Sequence, residues 1–219
     1  MSTDAKESLG QLYANHHERG RRYNYLFCHG ERGPYLKEWI GTGKTVLDLG
    51  CRDGMLTQFF APQNTVVGVD VDQKALLLAK ERLNIETRWL DLNGEWPFPP
   101  ASFDAIVACE IVEHLFFPTV LLERVRASLK PGGLFIGSVP NAFRLRNRWK
   151  FVWGEEFDKD PTHVRWFSYE KLKKMLSTQF QEVEILPIRG KILPFWPVSP
   201  NAPEALVRLF ARDLLWKAK

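Results

Sequence analysis

The residues of this 219-residue chain that could do chemistry gather in two places. One is Glu110-Ile-Val-Glu-His-Leu115. If that segment is helical, Glu110, Glu113 and His114 stand at i, i+3 and i+4, close together on one face. Two carboxylates and an imidazole so placed could serve as a general base or bind a divalent cation. The other is Lys44-Thr-Val-Leu-Asp-Leu-Gly-Cys-Arg-Asp-Gly-Met-Leu-Thr57. Its apolar run carries a carboxylate, Asp48, where an ordinary core strand would not place one. Gly50 and Gly54 then bracket a turn that leaves backbone N–H groups facing a ligand. Thr65-Val-Val-Gly-Val69 reads as the next strand and ends in Asp70. A carboxylate about 20 positions past such a turn can accept hydrogen bonds from ribose hydroxyls. This stretch reads as a nucleoside-cofactor site.

Alternating strands and helices must hold both places. Short apolar runs predict strands at 44–49, 65–70, 86–90, 103–108, 133–138 and 181–187. Helices are expected at about 53–60, 72–83, 117–128 and 168–177. Such βα alternation argues for a parallel sheet with helices on both faces and right-handed crossovers. Ligands bind at the carboxyl ends of the strands in these sheets. Gly50–Gly54, Asp70, Asp91, Cys109–His114 and Pro140-Asn141 follow strands and are the positions to inspect. Residues 1–40 read as a helical cap in which aromatics such as Tyr13, Tyr23 and Trp39 alternate with Arg19, Arg21 and Arg22.

Two nucleotide templates fail. G-x-G-x-x-G meets Arg52 and Met55 after Gly50, and Gly43-Lys44-Thr45 supplies only the end of a P-loop, with a strand rather than a helix after it. The residues instead resemble the class I S-adenosylmethionine-dependent methyltransferases, whose first motif is D-x-G-x-G-x-G. Asp48, Gly50 and Gly54 match it, and Arg52 stands where the family has its middle glycine. Asp91, after the third strand, matches the acidic residue that hydrogen-bonds the adenine amino group there, with Leu92 against the ring. Ser102-Phe-Asp-Ala-Ile-Val-Ala108 and Lys130-Pro-Gly-Gly-Leu-Phe-Ile136 match later motifs, so the resemblance covers residues 44–141. It implies a Rossmann-like α/β fold with a mostly parallel seven-stranded sheet and a helical N-terminal cap. Asp48, Gly50, Arg52, Gly54, Asp70, Val71, Asp91, Leu92 and Cys109 would line S-adenosylmethionine and its product S-adenosylhomocysteine. E-x-x-E-H with a distant histidine is similar to the ubiquinone-biosynthesis O-methyltransferases and to the small-RNA 3′-terminal 2′-O-methyltransferases. In the latter, four side chains hold magnesium at the accepting hydroxyls. The counterpart of the distant histidine is His163, in Asp160-Pro-Thr-His-Val-Arg-Trp-Phe167. Glu110, Glu113, His114 and His163 are therefore the candidate catalytic residues, and the same four the candidate Mg²⁺ ligands. Metal-free contact with the acceptor is the alternative.

Composition sets outer bounds: 45% hydrophobic and 26% charged residues are ordinary for a globular chain. No apolar run reaches the roughly 18 residues a membrane span needs. Three scattered cysteines, Cys28, Cys51 and Cys109, fit a reducing compartment. A cytoplasmic protein is the expectation, with the periphery of the inner membrane as the alternative. The net charge of +4 selects no partner. The chain reads as one domain: a cap over 1–40, a cofactor-binding core over 41–141, and a substrate-side loop, last strands and tail over 142–219. Residues 139–166 are the longest insertion and include a basic aromatic patch, Phe143, Arg144, Arg146, Arg148, Trp149 and Lys150, followed by Glu155-Glu156-Phe157-Asp158. An apolar stretch over 192–198 and an amphipathic helix over 204–217 are expected in the tail, which could pack as a lid, dimerise or rest on a membrane. The expected reaction is O-methylation of a small-molecule, saccharide or lipid-linked acceptor by a monomer or homodimer. An RNA 2′-O-methyltransferase, which the acidic run disfavours, and a non-catalytic cofactor-binding protein are the alternatives.

Overall fold

A computed structural model describes residues 3–25, 29–193 and 196–219. Leu26, Phe27 and Cys28 of the cap, and Pro194 and Phe195 of the apolar stretch, lie outside the described residues. The chain resolves into two compact units, Met1–Val107 with Ala127–Leu134, and Ala108–Arg126 with Phe135–Lys219.

In the first unit, α1 (Thr3–Arg19) and α2 (His29–Ile40) form the cap. Strands β1 (Thr45–Leu49), β2 (Thr65–Asp70), β3 (Glu86–Trp89) and β4 (Phe103–Cys109) then run in the order β3-β2-β1-β4. All three pairings are parallel, and Asp48 stands level with Gly68 of β2 and Val107 of β4. Val46, Leu47, Leu49, Val69, Ile106 and Val107 are fully buried, as parallel strands covered on both faces require. Helix α3 (Gln73–Leu83) is stopped at both ends by its own sequence. The Asp72 carboxylate caps the Ala75 N–H, and Asn84 takes the left-handed conformation at the C-terminus. The helix expected over 53–60 is replaced by two single-turn 3₁₀ segments, Thr57–Phe59 and Ala61–Gln63. Gly54 at φ +78° and Pro62 leave too little uninterrupted chain for an α-helix.

In the second unit, α4 (Pro118–Ser128) leads to β5 (Leu129–Pro140), α5 (Leu145–Val152) and α6 (Tyr169–Leu176). Strands β6 (Val183–Leu193) and β7 (Trp196–Pro197), helix α7 (Glu204–Phe210) and β8 (Ala211–Ala218) complete the chain. The order β5-β8-β6-β7 is antiparallel throughout. Eight strands among the described residues replace the seven expected; two-residue β7 accounts for the difference. The tail also departs from expectation. Helix α7 ends at Phe210, and 211–218 is a strand hydrogen-bonded to β5 on one side and β6 on the other. Leu214, Leu215 and Trp216 are wholly buried, so 211–218 presents no amphipathic helical face. Short apolar runs buried on both faces carry no period that separates strand from helix.

Trp216 fixes a close approach. A Cβ on Gly137 of β5 would fall 2.2 Å from its ring and 2.3 Å from the Ala108 carbonyl oxygen. Neither neighbour can yield cheaply, because one is a buried indole and the other is backbone. Gly137→Ala is expected to cost about 3 kcal/mol, the upper end of overpacking penalties, lowering Tm by roughly 6–12 °C. Thermal unfolding of the variant checks this.

Candidate functional site

Apart from Cys109, the residues expected to line the cofactor lie within the first unit. After β1, the Gly50 and Cys51 N–H groups both donate to the Val69 carbonyl, at 2.8 and 3.1 Å, curling the turn over the end of β2. Asp48 is buried beneath it and accepts from the Thr57 hydroxyl at 2.6 Å. Burial, with Asp70 nearby, pushes the Asp48 carboxyl up to about 7 against the opposing pull of Thr57. Arg52 occupies the left-handed region at φ +48°, a conformation that glycine adopts without strain. Its guanidinium does not crowd the turn: it donates to Asp53 Oδ1 at 3.0 Å and to the Tyr25 carbonyl at 3.1 Å.

Asp70 ties two loops together. Its Oδ2 accepts the Arg52 N–H and its Oδ1 the Asp72 N–H, both at 2.9 Å. Each oxygen retains a lone pair for another donor. Desolvation at this strand end raises the Asp70 carboxyl despite these two N–H groups. Val71 offers its carbonyl to the Trp89 indole N–H at 2.9 Å, and a Cβ on Gly10 of α1 would come within 3.0 Å of the same oxygen. The cap therefore lies directly over the β2–α3 turn. Asp91 follows β3 in a turn in which its Oδ1 accepts the Asn93 N–H at 2.9 Å, beside half-buried Leu92.

Sequence reading missed what fastens the cap. His17 Nδ1 lies 2.8 Å and the Tyr23 hydroxyl 2.5 Å from Oδ2 of fully buried Asp72. Burial alone would raise Asp72, yet its bonds to His17, Tyr23 and the Ala75 N–H hold it below the usual carboxylate range. Asp53, also fully buried, accepts the Asn24 N–H at 2.6 Å and faces Arg52 and Arg82. Burial pushes it up, but these partners prevail and it too is lowered. Asp72 had a readable signal as a helix N-cap; Asp53 had none.

The second unit holds the carboxylate–imidazole cluster. Beyond Cys109, the half-buried last residue of β4, Glu110 takes φ +58° and its N–H donates to the Ser138 carbonyl. The Ser138 hydroxyl returns a bond to Glu110 Oε1 at 3.0 Å. A 3₁₀ turn, Val112–His114, follows in place of the expected helical face. The loop bearing His163 is fastened to it: the Val164 and Arg165 N–H groups donate to the Glu113 carbonyl at 3.0 and 3.1 Å. Arg165 also reaches the Leu115 and Phe116 carbonyls. Ligand atoms of Glu113, His114 and His163 thereby come within 4.8 Å of one another, whereas Glu110 stands apart on Ser138.

Hydrogen bonds set both imidazoles. His114 Nδ1 lies 3.0 Å from the Thr162 carbonyl, which can only accept, so Nδ1 carries the proton. Burial, then His163, pushes the His114 imidazole down to about 4, so it stays neutral near pH 7. The His163 ring lies 4.8 Å from it, edge to face. His163 Nδ1 is 2.8 Å from Asp158 Oδ2, which also accepts the Trp166 indole N–H at 2.8 Å. That leaves His163 Nε2 as the acceptor nitrogen, 4.0 Å from Asp160 Oδ2. Asp158 was read in the sequence only as part of an acidic run; nothing in its spacing announces that it orients His163.

The parallel order β3-β2-β1-β4, with a glycine turn after β1 and carboxylates after β2 and β3, fits the methyltransferase resemblance. Residues 17–180, well over half the chain, match the family model described as a methyltransferase domain, and the chain belongs to the class I S-adenosylmethionine-dependent methyltransferase family. It is 31% identical over 144 residues to a Mycolicibacterium smegmatis protein named as a probable S-adenosylmethionine-dependent methyltransferase, covering 65% of this chain and 53% of that one. It is 30% identical over 122 residues to the ubiquinone biosynthesis O-methyltransferase of Paraburkholderia xenovorans, covering 51% and 53%. The chain thus spans about half the length of these curated relatives. The fold is shared with a solved S-adenosylmethionine-dependent methyltransferase from Archaeoglobus fulgidus, at a TM-score of 0.66 and 20% identity, covering 94% of this chain and 99% of that one. Among the described residues no helix is long and apolar enough to cross a membrane.

Proposed function

We propose that this domain methylates a hydroxyl of a small-molecule, saccharide or lipid-linked acceptor, with His163 as the general base. The observation that carries this reading is the 2.8 Å contact between His163 Nδ1 and Asp158 Oδ2, which aims Nε2 as an acceptor. S-adenosylmethionine supplies an electrophilic methyl group on a sulfonium. Its residues here would be Asp70 for the ribose hydroxyls, Asp91 for the adenine amino group, Leu92 against the ring, and the Gly50–Gly54 turn, Val71 and Cys109 for the rest. Asp70 fits that task because both its oxygens keep acceptor capacity at a strand's carboxyl end. In methyl transfer His163 Nε2 would take the acceptor's proton. Asp158 and Asp160 then stabilise the imidazolium. His114, with its imidazole near 4, is too weak a base for this step and instead fills the wall beside it.

Magnesium fits the cluster poorly. Mg²⁺ takes oxygen ligands at about 2.0–2.1 Å, whereas Glu113, His114 and His163 offer two nitrogens and one carboxylate. The names of several curated relatives, ubiquinone biosynthesis O-methyltransferases, favour oxygen as the acceptor atom. Labelled methyl transfer from S-adenosylmethionine to a panel of phenolic and saccharide acceptors tests the reading. Turnover that survives EDTA is expected; turnover abolished by EDTA and restored by Mg²⁺ would overturn the metal-free mechanism. Absence of transfer to every acceptor would favour a non-catalytic cofactor-binding role.

A further inference from the structure

Helix α5 is inside out. Its one buried side chain is the polar Asn147, whose amide donates to the Ala142 carbonyl at 3.0 Å. Its apolar residues face water: Trp149 is 57% exposed, Phe151 73%, Val152 72% and, just past the end, Trp153 74%. Helical spacing sets Leu145, Trp149 and Val152 in one outward stripe at i, i+4 and i+7. Exposed Arg146 and Arg148 flank that stripe on opposite sides. No acidic residue occurs from Ala142 to Gly154, and Glu155 and Glu156 begin only beyond the helix. A soluble helix that inverts its amphipathicity gives up burial of its own apolar residues, and exposed apolar patches of this kind mark interaction surfaces.

We propose that α5 and the Trp153 turn rest on an anionic phospholipid surface, the aromatic stripe entering the headgroup region and the arginines meeting the phosphates. Charge decides the occupant. A symmetric contact between two copies would set the same basic rims against each other, which like-charge repulsion opposes. Single-stranded RNA would use the arginines and indoles, but the aliphatic Leu145 and Val152 offer it no stacking face. A lipid interface uses every member: indoles at headgroup depth, aliphatic side chains beneath, arginines towards the phosphates.

Flotation of the full chain with vesicles tests this, comparing phosphatidylglycerol-containing with pure phosphatidylcholine membranes in 0.1 M and 0.5 M NaCl. Binding to the anionic vesicles is expected, at least tenfold weaker on phosphatidylcholine and weakened by salt. The double variant Trp149→Glu, Trp153→Glu should lose at least tenfold in vesicle affinity while its affinity for S-adenosylhomocysteine stays unchanged, since both indoles are solvent-exposed. Failure of the native chain to float with anionic vesicles would overturn the proposal. So would tight binding of poly(U) RNA without vesicle binding, or a dimer in sedimentation that the same substitutions abolish.

Discussion

Replacing His163 by alanine is expected to lower kcat by about 10²–10⁴-fold, the range a positioned general base supplies, with S-adenosylhomocysteine affinity unchanged. His163 and the residues proposed to hold the cofactor reside on different elements. His163 is set by Asp158 and by the clasp of its loop on the Glu113 carbonyl, whereas the proposed cofactor residues follow β1, β2 and β3. Asp158→Asn should give a smaller loss of the same kind. An amide in that place disturbs the tautomer that leaves Nε2 as the acceptor and withdraws the charge that stabilises the imidazolium. Single-turnover rates with saturating cofactor separate the two effects from binding. An unchanged rate in His163→Ala would remove the base from this residue and leave Glu110 to supply it.

Asp48→Asn should stabilise the chain, and by more at higher pH. The Asp48 carboxyl stands at about 7 when folded against an ordinary 3.8, so between those values the folded state binds more protons than the unfolded chain. Its stabilising contribution is therefore fully present below pH 3.8 and is lost as pH rises through 7. Above pH 8 the native chain carries a buried charge worth on the order of 4 kcal/mol at about 1.36 kcal/mol per unit. Asparagine is neutral at every pH, has nearly the same shape and can still accept from Thr57. Urea unfolding at pH 5 and pH 8 should show the variant's advantage growing with pH. A pH-independent difference would mean that Asp48 is ionised in the folded state throughout. His114 titrates with the opposite sign, its stabilisation lost as pH falls from 6.5 towards 4, but it is common to both chains and cancels in the comparison.

The strands and turns expected to hold the cofactor were legible because their signals are local. Apolar β-branched runs broken by Gly50 and Gly54 mark β1 and its turn, and Asp70 and Asp91 sit at strand ends the sequence itself bounds. The segments expected to face the acceptor depended on long-range pairing. His163 and Glu113 are fifty positions apart, and the bonds that join their segments run through backbone N–H groups and carbonyls, which carry no side-chain signature. Helical spacing at 110–114 suggested one shared face, but the left-handed Glu110 and the 3₁₀ turn send Glu110 to Ser138 and Glu113 towards the histidines. Likewise β8 looked helical because a strand buried between two neighbours needs no alternation. Arg52 was readable as a departure from the family motif; that its guanidinium reaches Asp53 and Tyr25 was not.

The most direct test of the cofactor site is a calorimetric titration of S-adenosylhomocysteine into the native chain and into Asp70→Ala. The account predicts a Kd of about 1 μM, roughly −8 kcal/mol, for the native chain. It predicts a loss of at least tenfold in the variant, because hydrogen bonds to a charged group are worth about 1.5–3 kcal/mol. Absence of binding to the native chain, or equal affinity in both, would contradict the assignment of this strand edge to the cofactor.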